Sequence, residues 1–370
     1  MRVPGWPWLI ILLSCLSLAP GPAVPVLVEA ELPQAPLTAT QVHQIDRLRQ
    51  VPVLRAPSVL LADAATGQVL YSQDPTTPRP PASTTKIMTA LLVLERNYLT
   101  ETVRIPADLQ VPGTTAGLVP GETLTIEGLL YGLLLPSGND AALVLARYSG
   151  GTEEEFVAAM NTRAAELGLV HTHFVNPHGL DAPDHLSSAM DLLRLTRQAL
   201  RHPTFARIVA TATYSVRGHR WENRNQLLEQ YPGADGVKTG TTAAAGECLI
   251  ASATRQGQRL IAVVLGSQDR YAEATALLDY GFAHYTWQRL DLPPGDFRQV
   301  RGKDGSRLLL GLHDPQVIVL PRWQKSHLRS FLHLAPVAQP GEPVGQLEFT
   351  LGGQQLCILP VYALSHEAAP

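Results

Sequence analysis

Ser83-Thr84-Thr85-Lys86 runs without interruption into Ile87-Met88-Thr89-Ala90-Leu91-Leu92-Val93-Leu94. An apolar run of this length, with few breakers after Pro81 and Ala82, reads as a helix buried in a core. The fold must therefore pack other elements around it. Three residues apart on a helix, Ser83 and Lys86 share a face and their tips are in reach. A hydroxyl beside an amine is a nucleophile beside its base, provided the amine is neutral. Burial or a neighbouring cation lowers an amine's pKa in that direction. Exposed, the same pair is ordinary helix surface, and S-x-x-K arises about once by chance in a chain of this size.

Two further stretches weigh against chance. Ser137-Gly138-Asn139 follows Leu133-Leu134-Leu135-Pro136, and Lys238-Thr239-Gly240-Thr241 follows Gly236-Val237. The trio S-x-x-K, S-D-N and K-T-G belongs to penicillin-binding proteins and class A β-lactamases. All three occur here in that order, with Gly138 in place of the aspartate. The chain has four lysines, Lys86, Lys238, Lys303 and Lys325, and two of them fall in the motifs.

At 370 residues the chain suits two domains, or one large and one small. A hydrophobic content of 45% supports a sizeable core. The net charge of −3 suggests no polyanionic partner, and no basic patch interleaved with aromatics points to nucleic acid. Three cysteines, Cys15, Cys248 and Cys357, do not make a disulfide scaffold. Cys248 and Cys357 could pair only if the fold brings them together.

Arg2 followed by the apolar stretch Trp8–Leu18 reads as a secretory leader, too short to span a bilayer comfortably. Ala23 and Ala30 offer cleavage sites, which sets residues 1–30 as signal peptide. Leu12-Leu13-Ser14-Cys15 also resembles a lipoprotein cleavage box. Plain secretion is the preferred reading over lipidation or an uncleaved anchor. The chemistry is then expected outside the cytoplasm, in the periplasm or cell wall, where ATP-dependent reactions are disfavoured.

Residues 31–57 read as a Pro-rich lead-in. Ser58–Asp63 and Gln68–Ser72 form a hairpin about a Gly turn. A helix is expected to begin with Gly121–Thr125, with Thr123 or Thr125 as cap and Ile126–Leu135 as its body, and to stop at Pro136. Ser137 and Asn139 then sit on a break between helices, either as caps or as rigidly held site residues. Further helices are expected at Asp140–Tyr148, Glu153–Leu167, Ser187–Arg201 and Tyr271–Tyr285. Strand-like segments are Val209–Val216 and Arg220–Asn225, then Val237–Thr239 beside a hairpin of Glu247–Thr254 and Arg259–Leu265. A lysine on that neighbouring strand points either into a cleft or, as an edge-strand lysine, into solvent. His178 and His185 are read as loop-fixing residues, because no metal-ligand spacing accompanies them. From about residue 290, short apolar runs alternate with turns, the pattern of a small β domain.

Around one cleft these parts describe acyl transfer. Ser83 Oγ attacks a carbonyl and Lys86 takes its proton. Lys238 favours neutral Lys86 and attracts an anion. Ser137 relays a proton to the leaving group, and Asn139 bonds a substrate amide. The N–H groups of Ser83 and Thr241 could form an oxyanion hole. Thr239 and Arg270 could bind a carboxylate. No metal, cofactor or nucleotide is required.

The sequence resembles the low-molecular-mass penicillin-binding proteins that act as serine D-alanyl-D-alanine carboxypeptidases, over about residues 55–364. Besides the three motifs, the likeness rests on Asn176–Asp181, Ser187-Ser188-Ala189 with Asp191, Asn223-Arg224-Asn225, Gly246–Leu249 and Tyr280-Gly281-Phe282. It implies Ser83 as acylated nucleophile, Lys86 as base, and Ser137 and Asn139 as the second catalytic element. It implies Lys238, Thr239, Gly240 and Thr241 as the strand element, with Arg224 and Arg270 close by. The implied reaction removes the terminal D-alanine of peptidoglycan pentapeptides, with β-lactams acylating Ser83. DD-endopeptidase and β-lactamase activities would use the same residues. The implied fold is α+β: a transpeptidase-like domain with an antiparallel sheet, flanking helices and a helical subdomain at 58–288, then a small all-β domain at 289–366. Many relatives end in an amphipathic membrane-binding helix, which the segment Ser365–Pro370 does not resemble. The expectation is a protein free in the periplasm, or associated with the membrane peripherally or by its N-terminus.

Overall fold

A computed structural model of the chain describes residues 51–293, 299–302, 307–334 and 341–364. The expected signal peptide, residues 31–50 of the lead-in, Lys303 and Ser365–Pro370 lie outside the described residues. Contacts divide the chain into one unit at Val51–Ala283 and another from His284 onward.

The first unit contains a five-stranded antiparallel sheet. Its strands are β1 (Ser58–Asp63), β2 (Val69–Gln73), β7 (Ala234–Thr242), β8 (Gly246–Arg255) and β9 (Gln258–Ser267), in the order β2-β1-β9-β8-β7. All six residues of β1 are buried, the apolar run Val59–Ala62 lying between buried Ser58 and Asp63. The β8–β9 hairpin pairs Ile250 with Val263 and Ala251 with Ala262. This leaves β7 as an edge strand, and its middle, Gly236–Gly240, is nonetheless buried.

A 3-10 turn, Ala82–Thr85, passes directly into α1 (Lys86–Arg96). Every residue from Lys86 to Val93 is buried, as the apolar run requires. Packed with it are α2 (Ile126–Leu134), α3 (Asn139–Gly150), α4 (Glu153–Glu166), α5 (Ala189–Leu200) and α6 (Pro203–Val209). A capping box starts α4, with Thr152 and Glu155 exchanging side-chain and backbone bonds. Ser188 caps α5 by accepting from Asp191 N. Inside this cluster Phe156 is fully buried. Phe156→Ala is expected to cost about 3–5 kcal/mol, read as a lowered midpoint in chemical denaturation.

Two local expectations need correction. The expected helix body is found, α2 at Ile126–Leu134, but the stretch leading into it is a strand: Thr123–Thr125 is β4, paired with β3 (Thr102–Arg104). Thr125 is the cap, extended in backbone and accepting from Gly128 N, while Thr123 is in the strand. The two β-branched threonines of Thr-Leu-Thr favour the pleat until the cap turns it. Val209–Val216 is also not one strand. Val209 ends α6, and only Thr213–Val216 is a strand (β5), hairpinned to β6 (His219–Glu222). Pro203 at the first helical turn starts that helix, a signal that outweighs its three β-branched residues, Thr204, Ile208 and Val209. A short helix α7 (Leu227–Gln230) precedes β7, and α8 (Arg270–His284) follows β9.

In the second unit β10 (Tyr285–Arg289) pairs with β13 (Val317–Pro321). A five-stranded sheet has the order β11-β12-β16-β15-β14. These are β11 (Gln299–Arg301), β12 (Arg307–Gly311), β14 (Leu328–Leu334), β15 (Pro343–Leu351) and β16 (Gln354–Leu364). Leu308, Leu310, Leu347, Phe349, Leu359 and Val361 form the centre of its own core. Cys248 and Cys357 are both free thiols. No described helix is long and apolar enough to cross a membrane.

Candidate active site

The 3-10 turn sets Ser83 and Lys86 nearly eclipsed, a closer pairing than a regular helix provides. Lys86 Nζ lies 3.0 Å from Ser83 Oγ. It also donates to Asn139 Oδ1 at 2.7 Å and to the backbone oxygen of His178 at 2.6 Å. The orientation of the Asn139 amide is set from its other end, where Nδ2 donates to Pro112 O at 2.7 Å. A neutral amine has two N–H bonds and one lone pair. Asn139 Oδ1 and His178 O can only accept, so they take the two N–H bonds. The lone pair is left for Ser83, whose hydroxyl can donate.

Lys86 is fully buried. Its pKa is held well below the usual lysine value, first by burial and then by the Lys238 and Arg224 cations, with Asp140 opposing them. Lys238 is also buried, with Nζ bonded to Thr239 O at 3.0 Å, which excludes the solvated-edge reading. Burial, Arg224 and Arg270 lower its pKa to about 7.

Gly240 has no room for a side chain, since a Cβ there would lie 2.9 Å from Ser83 N and 3.0 Å from Ala82 Cβ. The edge strand β7 thus runs against the turn that carries Ser83. Thr239 is buried and Thr241 exposed on the same strand. Arg270 Nη1 donates to Gly240 O at 2.9 Å and to Thr241 Oγ1 at 2.7 Å, while its buried Nε has no hydrogen-bond partner among the described residues and lies 3.9 Å from Glu247 Oε2.

Ser137 sits between α2 and α3, as the Pro136 break predicts. Its backbone is left-handed (φ 67°), and its buried Oγ has no hydrogen-bond partner among the described residues. Ala82, just before Ser83, is left-handed too (φ 50°). Non-glycine residues in this region are uncommon and concentrate at functional positions. Arg224, largely exposed, donates from Nε to Pro136 O at 2.9 Å, beside Ser137.

The loop Asn176–Asp181 closes the site from the other side. Asn176 Oδ1 accepts from Gly179 N at 2.7 Å, and Asp181 accepts from Thr242 Oγ1 at 2.6 Å and Ala244 N at 3.0 Å. Pro177 O accepts from Thr89 Oγ1 at 2.6 Å. His185 accepts from Val175 N at Nδ1, so its Nε2–H faces Thr85 Oγ1 at 2.8 Å. Burial pushes the pKa of His185 down to about 4 and that of His178 to about 3, so both rings are neutral near pH 7. Among the described residues no His, Cys, Asp and Glu cluster could hold a metal ion.

Of the ten residues singled out from sequence, Ser83, Lys86 and Asn139 are joined by hydrogen bonds, Gly240 abuts Ser83 N, Arg270 bonds Gly240 and Thr241, Lys238 bonds Thr239, and Arg224 bonds the Pro136 carbonyl next to Ser137. Reading side-chain types missed two contributors. The His178 acceptor is a carbonyl, which no residue type announces. Asp140 follows the Ser137-Gly138-Asn139 motif, and its only signal was an acidic residue at a helix start.

Comparison with known proteins bears on this geometry. Residues 46–269 match the family model described as D-alanyl-D-alanine carboxypeptidase. This chain belongs to that family. Among its members, the D-alanyl-D-alanine carboxypeptidase DacF of Bacillus subtilis (strain 168) is 34% identical over 329 residues, covering 83% of this chain and 85% of DacF. The D-alanyl-D-alanine carboxypeptidase DacC of Escherichia coli (strain K12) is 35% identical over 333 residues, 83% of each chain. Of solved structures, penicillin binding protein 5 from Haemophilus influenzae superposes with a TM-score of 0.71 at 28% identity, over 86% of this chain and 98% of that one. The Streptomyces K15 DD-transpeptidase gives 0.60 at 36% identity, over 64% of this chain and all of its own. The carboxypeptidase family likeness therefore reaches beyond the motif-bearing unit into the β-rich one.

Proposed function

We propose that this protein is a serine D-alanyl-D-alanine carboxypeptidase that removes the terminal D-alanine from peptidoglycan stem peptides through an acyl-enzyme on Ser83. The carrying observation is the Lys86 amine, with two fixed acceptors and its remaining direction on Ser83 Oγ at 3.0 Å. Ser83 Oγ forms a bond to the carbonyl carbon of the penultimate D-alanine while its proton passes to Lys86. The N–H groups of Ser83 and Thr241 stabilise the oxyanion, supported by the close approach of Gly240 to Ser83 N. The C–N bond then breaks, and D-alanine leaves with a proton delivered through Ser137. Water hydrolyses the ester, and the proton it gives up restores the serine hydroxyl.

Thr239, Lys238 and Arg270 receive the substrate's terminal carboxylate, and Arg224 adds positive charge at the rim. Asn139 holds the Lys86 amine and a substrate amide. Penicillins, which carry a strained amide and a carboxylate, are expected to acylate the same serine. The Arg2 and Trp8–Leu18 leader supports export, so that the enzyme acts outside the cytoplasm.

The test is incubation with a labelled penicillin, peptide mapping of the adduct by mass spectrometry, and assay of D-alanine release from a D-Ala-D-Ala peptide. A stable adduct on Ser83 with D-alanine release is expected. Rapid penicillin turnover without D-alanine release would make it a β-lactamase. Folded protein with no adduct would overturn the acyl-enzyme reading.

A further inference from the structure

Beyond the motif residues, we infer that Asp140 is a positioning residue: its carboxylate fixes the segment 112–118 as the wall that holds Asn139, and through it Lys86, in register with Ser83. The inference rests on the roles proposed above for Ser83 and Lys86.

Segment 112–118 has no helix or strand of its own. Its place is set by bonds from two consecutive residues at the start of α3. Asn139 N donates to Thr114 O at 2.8 Å and Asn139 Nδ2 to Pro112 O at 2.7 Å. Asp140 takes the next two positions, its Oδ1 accepting from Ala116 N at 2.7 Å and its Oδ2 from Leu118 N at 3.1 Å. Oδ1 also accepts from Ala141 N at 2.8 Å, which locks the carboxylate to the helix start. From the opposite side Trp221 Nε1 donates to Ala116 O at 2.7 Å. Ala116 is therefore clamped on both faces of its peptide backbone, and the Pro112 carbonyl that orients the Asn139 amide lies four residues along the same segment.

The glycine in the middle of the motif belongs to this arrangement. A Cβ at Gly138 would stand 2.7 Å from Ala116 Cβ, 2.8 Å from Ala116 N and 2.7 Å from Asp140 Oδ1. Where the S-D-N version of the motif carries its carboxylate at the central position, this chain leaves that space to the wall and supplies a carboxylate two residues later. Asp140 is only 5% exposed, so it acts by bonding backbone amides and by its charge. The charged and titratable groups facing Lys86 are Lys238 from β7, Arg224 after β6, His178 from the 176–181 loop and Asp140 from α3. Asp140 is the anion among them, and it opposes the cations that lower the Lys86 pKa.

Two variants separate geometry from charge. Asp140→Asn keeps the shape but can no longer accept from both amides, and it removes the anion. Gly138→Ala pushes the same wall while leaving every charge in place. In penicillin acylation of the full chain, each variant is expected to be slower by about 10–100-fold, the usual effect of misplacing a reacting group by about 1 Å. With the anion gone the Lys86 pKa falls, so Asp140→Asn is also expected to move the acid limb of the pH–rate profile to lower pH. Gly138→Ala is expected to leave that limb in place. Wild-type rates in both variants overturn the inference. So does an Asp140→Asn loss with an unmoved limb and a wild-type rate for Gly138→Ala, which reduces Asp140 to a folding residue. If Asp140→Asn does not fold, the Gly138→Ala rate decides alone. A wild-type protein with no Ser83 adduct overturns the proposed function and this inference together; an adduct with unaffected variants overturns the inference only.

Discussion

Lys86→Met is expected to slow acylation of Ser83 by about 10²–10⁴-fold, the range general-base catalysis supplies. Methionine approximates the lysine stem in volume, and its site within α1 is fully buried. The variant leaves Asn139 Oδ1 and His178 O without their donor, and each orphaned buried acceptor costs about 1–3 kcal/mol. Removing an amine that burial already disfavours offsets part of that cost. The variant is therefore expected to fold with a lowered unfolding midpoint. The sign of the pH dependence follows from the lowered pKa. Below it Lys86 holds a proton and is no base; above it the amine is neutral and the rate rises. Wild-type acylation is thus expected to climb with pH well below the ordinary lysine range, whereas the variant's profile should lack that climb. The rate of penicillin adduct formation, followed by mass spectrometry across pH, measures both. Wild-type rates from a folded Lys86→Met protein would remove Lys86 from the mechanism.

Gly179→Ala is expected to disrupt the site although residue 179 has no place in the proposed chemistry. Its backbone is left-handed (φ +89°), and a Cβ would fall 2.0 Å from Ala82 O and 2.9 Å from Ser83 N. The left-handed conformation alone costs a non-glycine residue roughly 1–2 kcal/mol. Overpacking against rigid backbone adds about 1–3 kcal/mol. The loop must retreat from the Ser83 turn, and the His178 carbonyl that anchors Lys86 moves with it. A loss of about 2–5 kcal/mol in stability and at least about 10² in acylation rate is expected, by denaturation and adduct kinetics. Gly168→Ala is the control, since its backbone is also left-handed (φ +66°) but nothing lies within 4 Å of the new Cβ. It should show the conformational cost with unchanged acylation. Equal acylation losses in both would trace the effect to general destabilisation.

Much of this enzyme was legible in its sequence. Periodicity sufficed where local and tertiary forces agree: the buried α1, the β8–β9 hairpin and the alternating strands of the second unit follow from apolar patterns that admit one way of burying themselves. Ser83, Lys86, Ser137, Asn139 and Lys238 could be singled out because three short motifs carry them in a fixed order. The misread stretches were those where propensity and cap compete. Thr123 and Thr125 are β-branched yet abut a helix, and Val209 belongs to a helix that Pro203 starts. Only the tertiary structure decided which groups surround the amine. The His178 carbonyl, 92 residues away in sequence, and the Asn139 side chain, 53 residues away, reach Lys86 by long-range packing. The lowered pKa of Lys86 has the same origin, because desolvation and neighbouring cations are properties of a folded interior. A sequence names the chemical groups, but their distances and their solvent depend on how the whole chain packs.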